Sequence, residues 1–323
     1  MTTSPATTDV GLRARALAWL RARTRAVLVL NVLVQVLIVA TGGAVRLTAS
    51  GLGCSTWPQC EPGHFTPQLH GETSYHTLVE FGNRTMTFLL TAVAVAVAYV
   101  VWTDRSRSLA YRRLGLVPGI GVIVQAVVGG ITVHVDLNPA IVSSHFLLSM
   151  ALVSASTLLL HRFSEGDGPP VVVVDHVVRV LAHVLAALLL VVLVLGTITT
   201  GAGPHSGDDE VGYRFAVDPL TMAHVHATAV WVFAAVLVAI IVLTRPRGGA
   251  RSRVHTAALV LAGLVVLQGA IGYVQVATGL PIALVDLHLV GAALLTAGTT
   301  RVWLCTRDRS SVAARAEEIP VLP

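Results

Sequence analysis

Eight apolar stretches, at about 27–46, 78–102, 114–134, 141–160, 180–201, 220–244, 255–277 and 283–304, set the terms on which this chain can fold. Each is long enough to cross a bilayer as a helix. In lipid, a helix satisfies its own backbone polar groups within the segment. Charged residues make up only 12% of the chain, and the mean hydropathy is +0.76. A soluble domain carries about twice that charge. The expected fold class is therefore all-α and integral to a membrane.

A sequence pI near 9.6 would suit a nucleic-acid partner, but the arginines are placed against it. They gather at alternate span ends: Arg13, Arg15, Arg21, Arg23 and Arg25; Arg105, Arg107, Arg112 and Arg113; Arg245, Arg247, Arg251 and Arg253; Arg307 and Arg309. The link after the fourth stretch is weaker, with Arg162 and Arg179 beside Glu165, Asp167 and Asp175. The opposite loops carry mainly Arg46 and Arg214. This is the positive-inside bias. It predicts a multi-pass cell-membrane protein with both termini cytoplasmic, basic flanks against membrane lipid and no nucleic-acid partner. The first stretch is long enough to remain as a span, so no cleaved leader is required.

The chain also repeats itself. Gln125-Ala-Val-Val-Gly-Gly-Ile131 leads through a break with Pro139 to Ser143-Ser144-His145. Gln268-Gly-Ala-Ile-Gly-Tyr-Val274 leads through a break with Pro281 to Asp286-Leu287-His288, with the same Gln-to-His spacing. Fainter matches set Thr41–Thr48 against Leu195–Ala202 and Glu80–Arg84 against Ala223–Ala227, which places Asn83 opposite His226 rather than His224. The prediction is two four-helix bundles, 27–161 and 180–304, joined by a linker over 162–179, with a segment 1–26 and a tail 305–323. Four spans per half is an even number, so the repeats are parallel.

Two histidines at matching depth suggest a metal or haem. His226 lies about one to two turns into the sixth span and His288 into the eighth, where neutral imidazoles on facing helices can clamp a haem iron. Either one alone reads equally well as a buried polar residue bonded to a carbonyl. His224 competes with His226 but occupies another face of the helix. His145 is the counterpart of His288. Three residues before Asn83 stands Glu80, a carboxylate at a depth where charge costs a few kcal/mol. A salt bridge to Arg84, four residues on, is its plain structural role.

In combination, several motifs resemble the haem A synthase family along essentially all eight spans. They are Thr41-Gly-Gly-Ala-Val-Arg-Leu-Thr-Ala-Ser-Gly-Leu-Gly-Cys54 with Trp57-Pro58 and Cys60, Glu80-Phe-Gly-Asn-Arg84, Gln125, Thr199-Thr-Gly-Ala-Gly-Pro-His205, His226 and His288. The resemblance implies an oxidoreductase that converts a ring methyl of haem O to a formyl group by successive hydroxylations, giving haem A for terminal oxidases. It implies a permanent haem b on His226 and His288, and substrate haem O on His145 in the N-terminal half. Glu80 falls at the family's essential glutamate, and Cys54 and Cys60 at an external cysteine pair, for which a disulfide on the oxidising side is expected. Asn83, Arg84, Arg46 and His205 are further candidate haem contacts. The implied partners are haem O, the haem O-producing enzyme, an electron donor of unstated identity and, compatibly, a second copy of the chain.

This chain departs from the family pattern, Glu-x-x-His-Arg, at Asn83. Two readings follow: His145 holds the substrate iron alone, with Asn83 as a hydrogen-bonding neighbour, or His76, His70 or His64 replaces the missing imidazole. Of the other histidines, His161, His176 and His255 read as interfacial, His183 as a helix–helix contact, and His134 as a residue near a haem edge. Two other classes fit the composition: a cytochrome b-like di-haem electron carrier, and a transporter of parallel repeats whose histidines relay protons.

Overall fold

The structure is a computed structural model that describes residues 15, 17–68, 74–205, 207–208, 210, 213–246 and 252–309. His70, one of the candidate replacements for the imidazole at position 83, lies outside the described residues, as do Arg13, Arg247 and Arg251. The helices run α1 Thr24–Leu47, α2 Tyr75–Trp102, α3 Leu109–Leu114, α4 Val117–His134, α5 Pro139–Ser164, α6 His176–Ala202, α7 Pro219–Leu243, α8 Arg253–Ala277 and α9 Ile282–Leu304. The short α3 continues into α4, so the described residues form eight helices long and apolar enough to cross a membrane. The protein is a multi-pass, all-α membrane protein.

The third span begins at Leu109, five residues before the apolar pattern does, because Ser108 accepts a hydrogen bond from the Tyr111 amide and starts the helix early. Similar caps start α2 at Ser74, α5 at Asn138, α7 at Asp218 and α8 at Ser252. Pro139 and Pro219 occupy first-turn positions, where a missing N–H costs nothing. The outer surface is apolar: Ile123 is 67% exposed and Val95 63%. In water such a surface would be a liability; in lipid it is the requirement.

Helix packing closes two rings of four. In one, α1 packs on α2, α2 on α4, α4 on α5 and α5 on α1; in the other, α6 packs on α7, α7 on α8, α8 on α9 and α9 on α6. The rings join through α1, α5, α6 and α9. Small residues permit close approach there: a Cβ on Gly43 of α1 would collide with the Asp286 carboxylate of α9. Between the rings the core is Val39, Met150, Leu185, Leu189 and Ala293, all buried.

Corresponding features of the rings recur at one interval of 143 residues, as from 125 to 268, 137 to 280 and 145 to 288. After α4, Leu137 adopts φ 55° and its amide reaches the Thr132 carbonyl at 2.9 Å; after α8, Leu280 adopts φ 60° and its amide reaches the Gln275 carbonyl at 2.7 Å. Leucine is strained in that left-handed region. The chain accepts the strain twice, in the turns that precede α5 and α9.

At one face of the bundle, the linker and tail meet in a two-stranded antiparallel ribbon, β1 Val171–Val172 with β2 Arg307–Asp308. Asp167 braces this face by accepting from Arg107 Nε at 2.8 Å and Arg162 Nη2 at 3.0 Å. His183 packs edge-on against Trp303, a contact between α6 and α9.

Candidate functional site

One cavity of about 1690 Å³ extends into both rings and is lined by Asn83 and His145 on one side and by His226 and His288 on the other. A single small-molecule pocket is about 300–1,000 Å³, so this one has room for more than one ligand.

In the C-terminal ring, the His226 and His288 rings lie across from each other with centroids 6.4 Å apart and planes inclined by 66°. Two imidazole–metal bonds of about 2.0–2.1 Å each, added to the distance from each ring's centre to its nitrogen, span about that separation. The His226 Nδ1 lies 3.1 Å from the Val192 carbonyl. A carbonyl can only accept, so Nδ1 carries the proton and Nε2 keeps the lone pair. Two glycines make room for these rings. A Cβ on Gly196 would lie 3.2 Å from His226 Cε1, and one on Gly272 would lie 3.1 Å from His288 Cε1. His224 is exposed and does not pair with His288.

Gln268 Nε2 donates to the His288 carbonyl at 2.7 Å, and Gln125 Nε2 donates to the His145 carbonyl at 3.3 Å. The same atoms are left over in both copies: the Nδ1 of His145 and of His288, and the Oε1 of Gln125 and of Gln268, are buried without a hydrogen-bond partner. Buried polar atoms ordinarily have one. Their recurrence at matched positions suits a polar or metal-bearing ligand beside each histidine. Gly129 stands against the His145 ring as Gly272 does against His288.

In the same cavity as His145, Asn83 is held by Thr41, whose hydroxyl donates to Asn83 Oδ1 at 2.8 Å. The Asn83 amide nitrogen is thereby left as its free donor. Neither His64 nor His76 lines the cavity, and the His76 Nδ1 is 3.0 Å from the Ser50 hydroxyl.

Glu80 is 5% exposed and lines the cavity. Its Oε1 accepts from Arg84 Nε at 3.0 Å and Nη2 at 2.5 Å, and its Oε2 accepts from the Cys54 amide at 2.7 Å. Arg84 Nη1 donates to the carbonyls of Thr56 and Gln59, 2.9 and 3.0 Å away. Cys54 and Cys60 form a disulfide, and both are fully buried. The carboxylate and guanidinium of α2 therefore bolt the disulfide loop over the cavity.

Arg46 also lines the cavity, but its donors go to backbone: Nε to the His205 carbonyl at 2.9 Å and Nη2 to the Thr200 carbonyl at 3.0 Å. The His205 Nε2 is 3.1 Å from the Leu280 carbonyl. Arg46 and His205 thus tie α1, the loop after α6 and the turn before α9 together at the cavity rim. His134 is not among the lining residues. Thr41 and the three histidine-facing glycines stand within the quoted motifs, but spacing along the chain does not show which side chain each one meets.

The fold and the site define a multi-pass helical membrane protein with paired imidazoles in an apolar cavity. Residues 25–205 match the model of the COX15-CtaA family, described as cytochrome oxidase assembly protein. The chain belongs to this family. It is 28% identical over 137 residues to the Heme A synthase of Halalkalibacterium halodurans, covering 42% of this chain and 44% of that one. It is 31% identical over 146 residues to the Heme A synthase of Symbiobacterium thermophilum, covering 44% and 45%. To that of Staphylococcus epidermidis it is 23% identical over 219 residues, covering 63% and 71%. The chain spans less than half the length of the first two of these relatives.

Proposed function

We propose that the chain is a haem A synthase, an oxidoreductase that converts a ring methyl of substrate haem O to the formyl group of haem A by two successive hydroxylations. The observation that carries this reading is the facing pair His226 and His288, matched in the same cavity by His145 on an equivalent glutamine bond. The names of the relatives support it. The two rings are read as parallel repeats, 27–161 and 180–304, on either side of a 162–179 linker; the shared 143-residue interval supports this. The arginine distribution favours cytoplasmic termini and an external disulfide loop.

His226 and His288 would hold a resident haem b, which when bound supplies one-electron transfer. Val192 fixes the tautomer of His226, so that its Nε2 is available to a metal. Gln268 holds the α9 backbone at His288 and so sets the depth of that ring. In the other ring His145 would hold the iron of haem O, and Asn83, its carbonyl oxygen held by Thr41, would offer its amide N–H within the same cavity. Glu80 has two roles. It anchors the disulfide loop that covers the site, and its carboxylate stabilises positive charge developing at the methyl carbon. Arg84 keeps that carboxylate in place. Arg46 and His205 hold the rim where the two halves meet. Each hydroxylation would take one dioxygen as oxidant and two electrons from an outside donor. It would place one oxygen atom on the methyl carbon and release the other as water. The doubly hydroxylated carbon then loses water to leave the formyl group. Haem O comes from the enzyme that makes it.

Extraction of haem from cells that make haem O, with and without this chain, tests the reading. Haem A is expected only when the chain is present. Bound haem with unaltered haem O would indicate an electron carrier instead, and purified protein without a Soret band would indicate a transporter.

A further inference from the structure

We infer that Trp231 and Tyr273 latch the lipid-facing seam of the C-terminal ring and so retain its haem, whereas the equivalent seam of the N-terminal ring is unlatched and serves as the lateral passage for haem O. This rests on the assignment of the two haem sites above.

In each ring the least extensive helix contact is the one farthest from the other ring: α2 with α4, and α7 with α8. Along both seams the cavity is lined by side chains that are also exposed on the outer surface. Phe88 is 77% exposed in the first ring, and Trp231 and Tyr273 are 65% and 61% exposed in the second. The cavity therefore reaches the lipid-facing surface at both places.

The seams are closed differently. Across α7 and α8, Trp231 Nε1–H donates to the Tyr273 hydroxyl oxygen at 3.2 Å. At the hydrocarbon-facing surface no water competes for this bond. The 143-residue interval brings Trp231 onto Phe88 and Tyr273 onto Gly130. Phenylalanine has no polar atom and glycine has no side chain, so that bond cannot be made across α2 and α4. The room above Gly130 is taken by Trp57 of the disulfide loop, whose ring carbons lie 2.6–2.9 Å from where a Cβ would stand. A Tyr at that position and Trp57 exclude each other. Haem O carries a long isoprenoid chain, which is at home in lipid and suits an opening onto the bilayer rather than onto water.

The experiment uses detergent-purified holoprotein. Haem b release from the wild type, Trp231→Phe, Tyr273→Phe and the double variant is followed by transfer to excess apomyoglobin. Equal starting haem contents show that each variant folds and loads. Each single variant is expected to release haem roughly three- to tenfold faster, and the double variant no faster than either single one, because one bond is lost in all three. Unchanged single-variant rates, or a double variant as fast as the product of the singles, would overturn the latch. Phe88→Trp, which narrows the other seam, is expected to slow haem O uptake from phosphatidylcholine vesicles at least threefold while haem b release stays at the wild-type rate. Unchanged uptake would overturn the passage. Wild-type protein without haem b would remove the underlying site assignment and the latch together, whereas latch-insensitive release from haem-loaded protein would remove the latch alone.

Discussion

Gln268 reaches across from α8 to the His288 carbonyl of α9 at 2.7 Å, and Gln125 repeats the bond to His145 one interval earlier at 3.3 Å. The bond takes a carbonyl near the start of a helix and ties it to the neighbouring helix, so it locks the height of the histidine rather than the angle of its ring. The space for it is made by Gly291, where a Cβ would overlap the Gln268 side chain. Gln268→Leu is expected to cost about 0.5–1.5 kcal/mol and to shift the haem b spectrum without emptying the site. Gly291→Ala, which displaces the glutamine, is expected to reproduce that shift. Wild-type spectra in both variants would exclude this role.

His226→Ala and His288→Ala are each expected to abolish haem b in the purified protein, because a resident haem held by two imidazoles loses half of its iron ligation with either one. His224→Ala, at an exposed position two residues from the clamp, is expected to retain it. The Soret absorbance per mole of protein separates these outcomes.

Asn83→His is expected to give the substrate site a second axial imidazole and convert ferric haem bound there to a low-spin spectrum. Thr41→Val removes the hydroxyl that sets the Asn83 amide and is expected to weaken binding of cyanide or another small ligand at that haem two- to tenfold, about the worth of one hydrogen bond. An unchanged spin state in Asn83→His would mean that His145 is not alone on the iron in the wild type.

Glu80→Ala takes the acceptor from both the Cys54 amide and Arg84. Breaking a buried pair from one side costs about 3–5 kcal/mol. The lower end applies here, because Arg84 keeps the Thr56 and Gln59 carbonyls. The expected result is full haem b, little or no haem A, and a Cys54–Cys60 disulfide that reductant reaches faster. Glu80→Gln can still accept from the Cys54 amide and is expected to restore the loop's protection but not the activity. Normal haem A yield in Glu80→Ala would end the assignment of Glu80.

Gly43→Ala sets a methyl group against Asp286 and Leu289 at the junction of the rings. Overpacking of this kind costs about 1–3 kcal/mol. A lowered melting temperature is expected, and Gly263→Ala, where nothing stands within 4 Å and which does not line the cavity, serves as the control.

The spans were legible because apolar length is a local property. The eight stretches and the eight helices agree to within a few residues, and the main difference, at Leu109, traces to a polar cap that hydropathy does not weigh. Glu80 and its salt bridge to Arg84 were legible for a similar reason: four residues on one helix face fix who meets whom. The disulfide of Cys54 and Cys60 was expected on the family resemblance and is present. The second anchor of Glu80, the Cys54 amide, was not foreseen, since it comes from a loop 26 residues away whose path no periodicity encodes.

By itself, then, the sequence determined that this chain is a bundle of eight membrane helices, that it belongs to its family, and that the Gln-to-His spacing recurs, because each of these follows from composition, spacing or motif along the chain. Only the tertiary structure decided which imidazoles meet. It turns His226 and not His224 toward His288, sets Thr41 on Asn83 from 42 residues away, and joins Trp231 to Tyr273 across two helices. Those outcomes depend on how each helix is rotated and how high it sits against its neighbour. Rotation and height are set by side-chain packing between segments distant in the chain.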